Sequence, residues 1–154
     1  MYQRILVPLD GSPLAECVFP HLETLATGCQ VKEVVLAQVV EPFRPIASGE
    51  YVLDPEEVLR IEEVAKVAAQ AYLKEAAAKI KLNGTGVKTE MIVGRPAESL
   101  ADYATRNKVN LIIIATHGRS GISRWVWGSA ADRILRSACV PVLMIRAPGC
   151  IPGI

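Results

Sequence analysis

Two glycines and a serine in the last third of the chain have a spacing that suits phosphate binding. The segment reads Ala115-Thr116-His117-Gly118, continues for nine further residues and then reaches Gly128-Ser129. Glycine lets the backbone approach an oxyanion closely and adopt positive φ. A helix that begins at the second glycine would add unpaired N–H groups and the positive end of its dipole. The pattern therefore predicts a phosphate site in the loop of residues 115–129.

Charged and titratable side chains lie within the same loop. Arg119 and Arg124 stand between the two glycines, where their guanidinium groups can approach a phosphate tail. His117 has the chemistry of a general base, but the sequence places no carboxylate or nucleophile to act with it. We therefore interpret His117 as a loop residue that offers backbone contacts, and we predict no catalytic residue.

Common nucleotide and metal signatures are missing. No G-x-x-x-x-G-K-[ST] string occurs, and the first strand is followed by Asp10-Gly11-Ser12-Pro13 rather than by G-x-G-x-x-G. The cysteines form no C-x-x-C pair, and the histidines complete no metal-ligand pattern. The cysteines are therefore predicted to be small apolar residues in or near the core of a reduced protein. They are Cys17, Cys29, Cys139 and Cys150.

The elements that position this loop alternate between short apolar runs and longer helical patterns. Strands are predicted at residues 4–9, 33–40, 88–93, 110–115 and 140–146. Helices are predicted at residues 12–26, 54–83, 96–107 and 129–138, with loops at 41–53 and 116–127. The first helix would begin at a Ser12 cap followed by Pro13, and the second at Asp54 followed by Pro55.

This alternation predicts an α/β fold with a doubly wound, open, five-stranded parallel sheet in three α/β/α layers. The fourth strand is apolar throughout and is therefore predicted to be central. Ligands of such sheets bind beyond the carboxyl ends of the strands, where the winding direction reverses. This rule selects the end of the first strand at Pro8-Leu9-Asp10, the end of the second at Val39-Val40, and the chain from Ala115 onward.

Length and composition limit the classes of protein to which the chain can belong. Its 154 residues predict one domain, residues 1–147, followed by a flexible tail, residues 148–154, that is rich in proline and glycine. A formal net charge of +1 does not suit a dedicated nucleic-acid binder. The longest apolar runs fall short of the roughly 20 residues of a membrane-spanning helix, and the first residues have no signal-peptide pattern. We therefore expect a soluble, cytoplasmic protein that contacts neither nucleic acid nor membrane.

The residues of these strand ends and of this loop resemble the universal stress protein family, and the resemblance covers nearly the whole chain. It includes residues 5–12, the turn at residues 93–96 and the stretch 115–145. The ATP-binding branch of the family has the pattern G-x2-G-x9-G-[ST]. Gly118, Gly128 and Ser129 match this pattern, and Ala115 replaces its first glycine.

The resemblance implies the fold, the ligand and the assembly. It implies a Rossmann-like sheet of the adenine nucleotide α hydrolase-like kind with strand order 3-2-1-4-5. It implies a stress-response or regulatory protein that binds ATP, with AMP and ADP as alternatives and Mg²⁺ or Mn²⁺ as an accompanying ion. The last strand commonly pairs across a homodimer in the family, which here would use residues 140–145. An exposed apolar edge strand also favours a partner on physical grounds.

The resemblance also implies a role for each site residue. Pro8, Leu9 and Asp10 would meet adenosine at the end of the first strand, with Asp10 bonded to the ribose hydroxyls. A backbone group of Val39 would read the adenine edge. The ribose and phosphates would be held after the fourth strand by Ala115, Thr116, His117, Gly118, Arg119, Gly128, Ser129 and Ala130.

Other interpretations stay open at this point. The protein could be a slow ATPase or phosphotransferase, which needs a metal site and a base for which Asp10 is the obvious carboxylate. It could also be a nucleotide-free interaction module whose site has decayed at Ala115. Asp10 could be a turn residue before Gly11, and Ser129 could be a helix N-cap. The sequence identifies neither the stress nor the protein partners.

Overall fold

The computed structural model describes residues 1–43, 54–116 and 127–148, and for residues 127–130 it describes the backbone only. The strands are β1 (Arg4–Leu9), β2 (Glu33–Val40), β3 (Gly86–Val93), β4 (Leu111–Thr116) and β5 (Val142–Arg146). The helices are α1 (Phe19–Cys29), α2 (Pro55–Lys79), α3 (Pro96–Arg106) and α4 (Trp127–Ser137), and a 3-10 turn, Ala15–Val18, precedes α1. Residues 149–154 lie outside the described residues, so the flexible tail stays a prediction.

The strands form one parallel sheet with the order β3-β2-β1-β4-β5, which confirms the predicted fold. The chain moves outward from β1 to β3 and then returns to place β4 and β5 on the other side of β1. The winding direction therefore reverses between β1 and β4. These two strands pair at Ile5–Leu111 and Leu6–Ile112, and within the described residues their pairing does not continue toward the carboxyl ends. A crevice can open there.

The two faces of the sheet are covered by different helices, because successive side chains of a strand point to opposite faces. One face packs against α1 through Leu22 and against α2 through Leu73. The other face packs against α3 through Leu100 and against α4 through Ile134. All four side chains are fully buried, so the three predicted layers are confirmed.

The first helix begins later than predicted. The Ser12 hydroxyl accepts a hydrogen bond from the Ala15 N–H at 3.2 Å, but Ala15 is the first residue of the 3-10 turn and not of an α-helix. α1 begins at Phe19, with Pro20 in its first turn. A proline inside a helix that started at Ser12 would remove a backbone hydrogen bond and clash with the preceding turn. The chain avoids this by starting the α-helix at Phe19, so that Pro20 lies in the first turn, where its missing N–H removes no helical hydrogen bond.

The second helix has its predicted start and an earlier end. The Asp54 carboxylate accepts a hydrogen bond from the Glu56 N–H at 3.2 Å, which confirms Asp54 as the N-cap. α2 ends at Lys79 and not near residue 83, because Ile80 adopts an extended backbone and buries its side chain in the core. Within the part of the chain that the structure describes, neither α2 nor any shorter helix is long and apolar enough to cross a membrane.

The strand ends differ from the prediction by one or two residues. β3 begins at Gly86, two residues early, and β4 is shifted by one residue to end at Thr116. β5 begins at Val142, because Pro141 has no N–H to donate to a strand ladder. The Pro141 carbonyl still accepts a hydrogen bond from the Ile112 N–H at 3.0 Å. The edge segment is therefore shorter than the predicted residues 140–145.

Candidate functional site

The predicted adenosine residues meet at the carboxyl edge of the sheet. Pro8 and Leu9 are buried at the end of β1, and Asp10, the next residue, is half-buried. The last pair between β1 and β2 joins Leu9 to Gln38, so Val39 lies beyond the end of β1. Val39 pairs with β3 on its other side. The structure therefore brings these four residues to the edge at which the winding direction reverses.

Asp10 is held in a tight turn by one of its two carboxylate oxygens. Its Oδ1 accepts hydrogen bonds from the Ser12 N–H at 2.9 Å and from the Ser12 hydroxyl at 2.6 Å. Gly11 between them has a φ of 86°, a conformation that favours glycine. Within the described ranges, Oδ2 of Asp10 accepts no hydrogen bond. Asp10 is thus a turn residue, and it keeps one oxygen that can accept a hydrogen bond from a ligand.

Ala115, the departure from the glycine pattern, lies near the end of β4. It is 5% exposed and belongs to the same apolar cluster as Leu9 and Ala15. Its methyl group therefore packs in the core on the α1 and α2 face, under the 3-10 turn. Thr116 follows and pairs with Arg146 of β5, and its carbonyl accepts a hydrogen bond from the Ala147 N–H at 3.0 Å.

The first turn of α4 contains the second half of the glycine pattern. α4 begins at Trp127 and not at Ser129, so Gly128 and Ser129 are its second and third residues, and Ala130 is the fourth. The first N–H groups of an α-helix have no carbonyl partner within the helix and lie at its positive end. Ser129 stands inside this turn, so its interpretation as the N-cap is wrong. His117, Gly118, Arg119 and Arg124 lie outside the described residues, and their roles stay predictions.

Four polar residues on α2, β2 and the 3-10 turn were not singled out from the sequence. Lys79 of α2 places its Nζ 2.9 Å from both carboxylate oxygens of Glu16, in the 3-10 turn. The hydroxyl of Tyr72 and the side-chain carbonyl oxygen of Gln38 are buried, and neither has a hydrogen-bond partner in the part of the chain that the structure describes. These residues come from three separate elements, so no local spacing links them. Two of them have a signal in the sequence: Gln38 is the single polar residue on one face of β2, and Tyr72 is the single polar residue on the apolar face of the second half of α2.

Two further features bear on the chemistry that the protein can do. Among residues 1–43, 54–116 and 127–148, no group of three or more His, Cys, Asp or Glu side chains is placed to hold a metal ion. An open depression of about 580 Å³ lies on the first turns of α2 and not at the carboxyl edge beside Asp10. Its walls are largely charged and exposed side chains: Asp54, Glu56, Glu57, Arg60, Ile61 and Val64.

Comparison with known proteins places this geometry in a family. The protein-family model described as the Universal stress protein family matches residues 1–146 of this chain. The chain belongs to the universal stress protein family. A universal stress protein of Methanocaldococcus jannaschii is 30% identical over 96% of this chain and 84% of its own length. One from Thermus aquaticus is 30% identical over 95% of this chain and 100% of its own length.

Solved universal stress proteins share the fold. A family member from Burkholderia pseudomallei superposes with a TM-score of 0.69 at 27% identity, over 94% of this chain and 96% of that one. A universal stress protein in complex with cAMP superposes with a TM-score of 0.59 at 23% identity, over 95% of this chain and 98% of that one. An Arabidopsis thaliana family protein with AMP bound superposes with a TM-score of 0.66 at 14% identity, over 96% of this chain and 93% of that one. The universal stress fold of this chain is therefore shown.

Proposed function

We propose that this universal stress protein binds ATP at the carboxyl edge of the sheet, between β1 and β4. The adenosine half would lie against Pro8, Leu9, Asp10 and Val39. The phosphates would lie at the first turn of α4, with AMP and ADP occupying the same adenosine half. The observation that carries the proposal is Oδ2 of Asp10, which accepts no hydrogen bond from the described residues and lies at the point where β1 and β4 separate.

Three features support a nucleotide as the ligand. An aspartate oxygen that accepts no hydrogen bond from the described part of the chain suits the hydroxyl donors of a ribose. The N–H groups of Trp127, Gly128 and Ser129 suit an anion at the start of a helix. Relatives of the same fold carry cAMP or AMP. The resemblance adds His117, Gly118 and Arg119 to the phosphate half, with Mg²⁺ or Mn²⁺ beside the phosphates. No specific observation favours hydrolysis over binding.

Thermal unfolding with different nucleotides tests the ligand class. A ligand that binds the native state raises stability by RT ln(1 + [L]/Kd), about 2.7 kcal/mol at 100 times Kd. We expect ATP and AMP to raise the unfolding temperature, because they share the adenosine half, and GTP to leave it nearly unchanged. Equal shifts with GTP and ATP would contradict adenine recognition. No shift with any adenine nucleotide would contradict the proposal as a whole.

We further propose a cytoplasmic homodimer joined through β5. β5 forms one edge of the sheet, where Met144 is 38% exposed and Leu135 of the adjacent α4 is 49% exposed. The other edge strand, β3, carries an ion pair between Lys88 and Glu90 at 2.5 Å. Charged side chains protect an edge strand from pairing, so the apolar β5 edge is the one that favours a second copy.

The substitution Ala115→Gly tests whether the altered glycine pattern weakens the nucleotide site. Because the Ala115 methyl group packs in the core, we expect the ATP dissociation constant to change by no more than about twofold, a free-energy change smaller than 0.5 kcal/mol. The free energy of unfolding should fall by about 1 to 2 kcal/mol, through the lost core contact and the flexibility of glycine in a strand. Calorimetry and denaturant unfolding measure the two effects. Much tighter ATP binding by the variant would show that the methyl group obstructs the nucleotide.

A further inference from the structure

The first half of α2 carries a row of apolar side chains on its outward side. Ile61, Val64 and Val67 are 40%, 70% and 62% exposed, and they follow one another at intervals of three residues. Such an interval keeps successive side chains on neighbouring parts of the helix surface. A surface helix ordinarily has polar residues on the side away from the core. This row, which we call the outward stripe, therefore departs from the usual pattern of a helix that covers a sheet.

The outward stripe is exposed because α2 is longer than the sheet that it covers. Its 25 residues extend over about 38 Å, whereas the 8 residues of β2 extend over about 26 Å. The buried residues of α2, Ala69, Leu73 and Ala76, all lie in its second half. A helix that follows a parallel strand begins at the carboxyl edge of the sheet. The first half of α2 therefore lies at the same edge as the proposed nucleotide site.

Negative charge is concentrated around the outward stripe. Residues 54–67 contain five acidic and two basic side chains, a formal charge of −3, although the whole chain has a net charge of +1. Glu63 is paired with Lys66 at 2.8 Å. Glu56 and Glu57, in the first turn, form no ion pair with any residue that the structure describes. The stripe therefore has an acidic border whose charges are available to a partner.

The acidic border and the stripe meet in one concave surface. The open depression of about 580 Å³ on the first turns of α2 is lined both by apolar residues of the stripe and by charged residues of the border: Ile61, Val64, Asp54, Glu56, Glu57 and Arg60. An extended peptide would need the free backbone groups of a sheet edge, which the side of a helix does not offer. A second helix needs only complementary side chains, because its ridges pack into the grooves between ridges.

We propose that the outward stripe is a docking surface for a basic amphipathic helix of a partner protein. The apolar side of that helix covers Val64 and Val67, and its lysine and arginine side chains lie beside Glu56 and Glu57. Complementary charge sets the orientation of the partner and speeds its association, and the apolar contact supplies affinity. The proposal does not depend on nucleotide binding.

Fluorescence anisotropy with labelled helical peptides tests the proposal. The probe is a peptide of leucine and lysine with its leucines at positions i, i+3, i+4 and i+7. In one comparison peptide glutamates replace the lysines, and in another the same residues are reordered so that no apolar side forms. We expect the probe to bind at least about tenfold more tightly than either comparison peptide, and its binding to weaken as salt is added.

The double substitution Val64→Gln, Val67→Gln tests the apolar contact. It leaves the charge of the protein unchanged, and we expect the probe to bind about tenfold more weakly. Val93→Gln is the matched control, because Val93 is 50% exposed at the end of β3 and lies outside the stripe. This control should leave the affinity for the probe unchanged.

The double substitution Glu56→Gln, Glu57→Gln tests the charge contact. We expect the probe to bind about fivefold more weakly and with a smaller dependence on salt, as for exposed charge pairs. Glu98→Gln is the matched control, because Glu98 is also exposed in the first turn of a helix, α3. This control should leave the affinity and its salt dependence unchanged.

Three outcomes would overturn the proposal. The first is equal binding of the probe and a comparison peptide, or equal binding of the probe by the unaltered protein and the Val64→Gln, Val67→Gln variant. The second is a smaller sedimentation coefficient for that variant without peptide, which would show that a second copy covers the stripe. The third is a lowered unfolding midpoint of the variant. Because both valines are largely exposed, a lowered midpoint would show that another part of the same chain covers them.

Discussion

Asp10→Asn is expected to weaken ATP binding by about 100-fold while the fold is retained. In the proposed site the carboxylate accepts hydrogen bonds from the ribose hydroxyls, and bonds to a charged group contribute roughly 1.5–3 kcal/mol each. Asparagine keeps one oxygen, which can still accept the two bonds from Ser12 and hold the turn. Its NH₂ group replaces the second oxygen and cannot accept a ribose hydroxyl. Calorimetric titration of the variant with ATP measures the loss.

Asp102→Asn is the matched control for this prediction. Asp102 lies on α3 with its side chain 71% exposed, and its nearest cation is Arg106 at 3.8 Å. The chemical change and the change in net charge are the same, but no part of the proposed site is involved. We expect unaltered ATP affinity. An Asp10→Asn variant that binds as tightly as Asp102→Asn would contradict the role of Asp10.

Met144→Lys is expected to convert the proposed dimer into a monomer. Met144 is exposed on the β5 edge, and the proposed pairing would place it in an apolar contact with the second copy. A lysine there would bring an ammonium group into that contact, where a buried charge without a partner is strongly unfavourable. We expect the dimer dissociation constant to rise at least about 100-fold, which corresponds to about 2.7 kcal/mol. Analytical ultracentrifugation of both proteins at equal concentration measures the change.

The opposite edge of the sheet offers a control with the same chemistry. Val87 of β3 is 39% exposed, nearly the same fraction as Met144, and it is also an apolar residue of an edge strand. Val87→Lys should leave the dimer intact. If Val87→Lys dissociates the dimer and Met144→Lys does not, the contact lies at β3. If the unaltered protein sediments as a monomer, the proposed dimer is wrong.

The sheet could be predicted from the sequence because its signals are local. Each strand is a short apolar run between turn residues, and strands that alternate with helices form parallel sheets. The Asp54 cap was predictable for the same reason, since cap, proline and acidic residues are neighbours in the chain. The predicted start of α1 at Ser12 was wrong because two proline signals compete in this segment. Ser12-Pro13 has the form of a helix start, but Pro20 interrupts any helix that begins at Ser12.

The candidate site was only partly predictable, because much of it depends on packing. The position of Asp10 after β1 follows from the strand pattern. That Oδ1 of Asp10 accepts hydrogen bonds from Ser12 depends on the backbone of the turn. The direction of the Ala115 methyl group depends on how β4 packs under the 3-10 turn. Lys79 reaches Glu16 in the 3-10 turn only because α2 crosses this face of the sheet. No spacing along the chain contains that contact.

Calorimetric titration of the unaltered protein with ATP, and separately with adenosine, tests the central claim most directly. We predict saturable binding of ATP with a dissociation constant below about 1 mM, which corresponds to a binding free energy of about −4 kcal/mol. Adenosine should bind more weakly, because it lacks the phosphates that would contact the first turn of α4. A flat trace at ATP concentrations several times higher would contradict nucleotide binding at this edge of the sheet. Equal affinities for ATP and adenosine would contradict the phosphate half of the site.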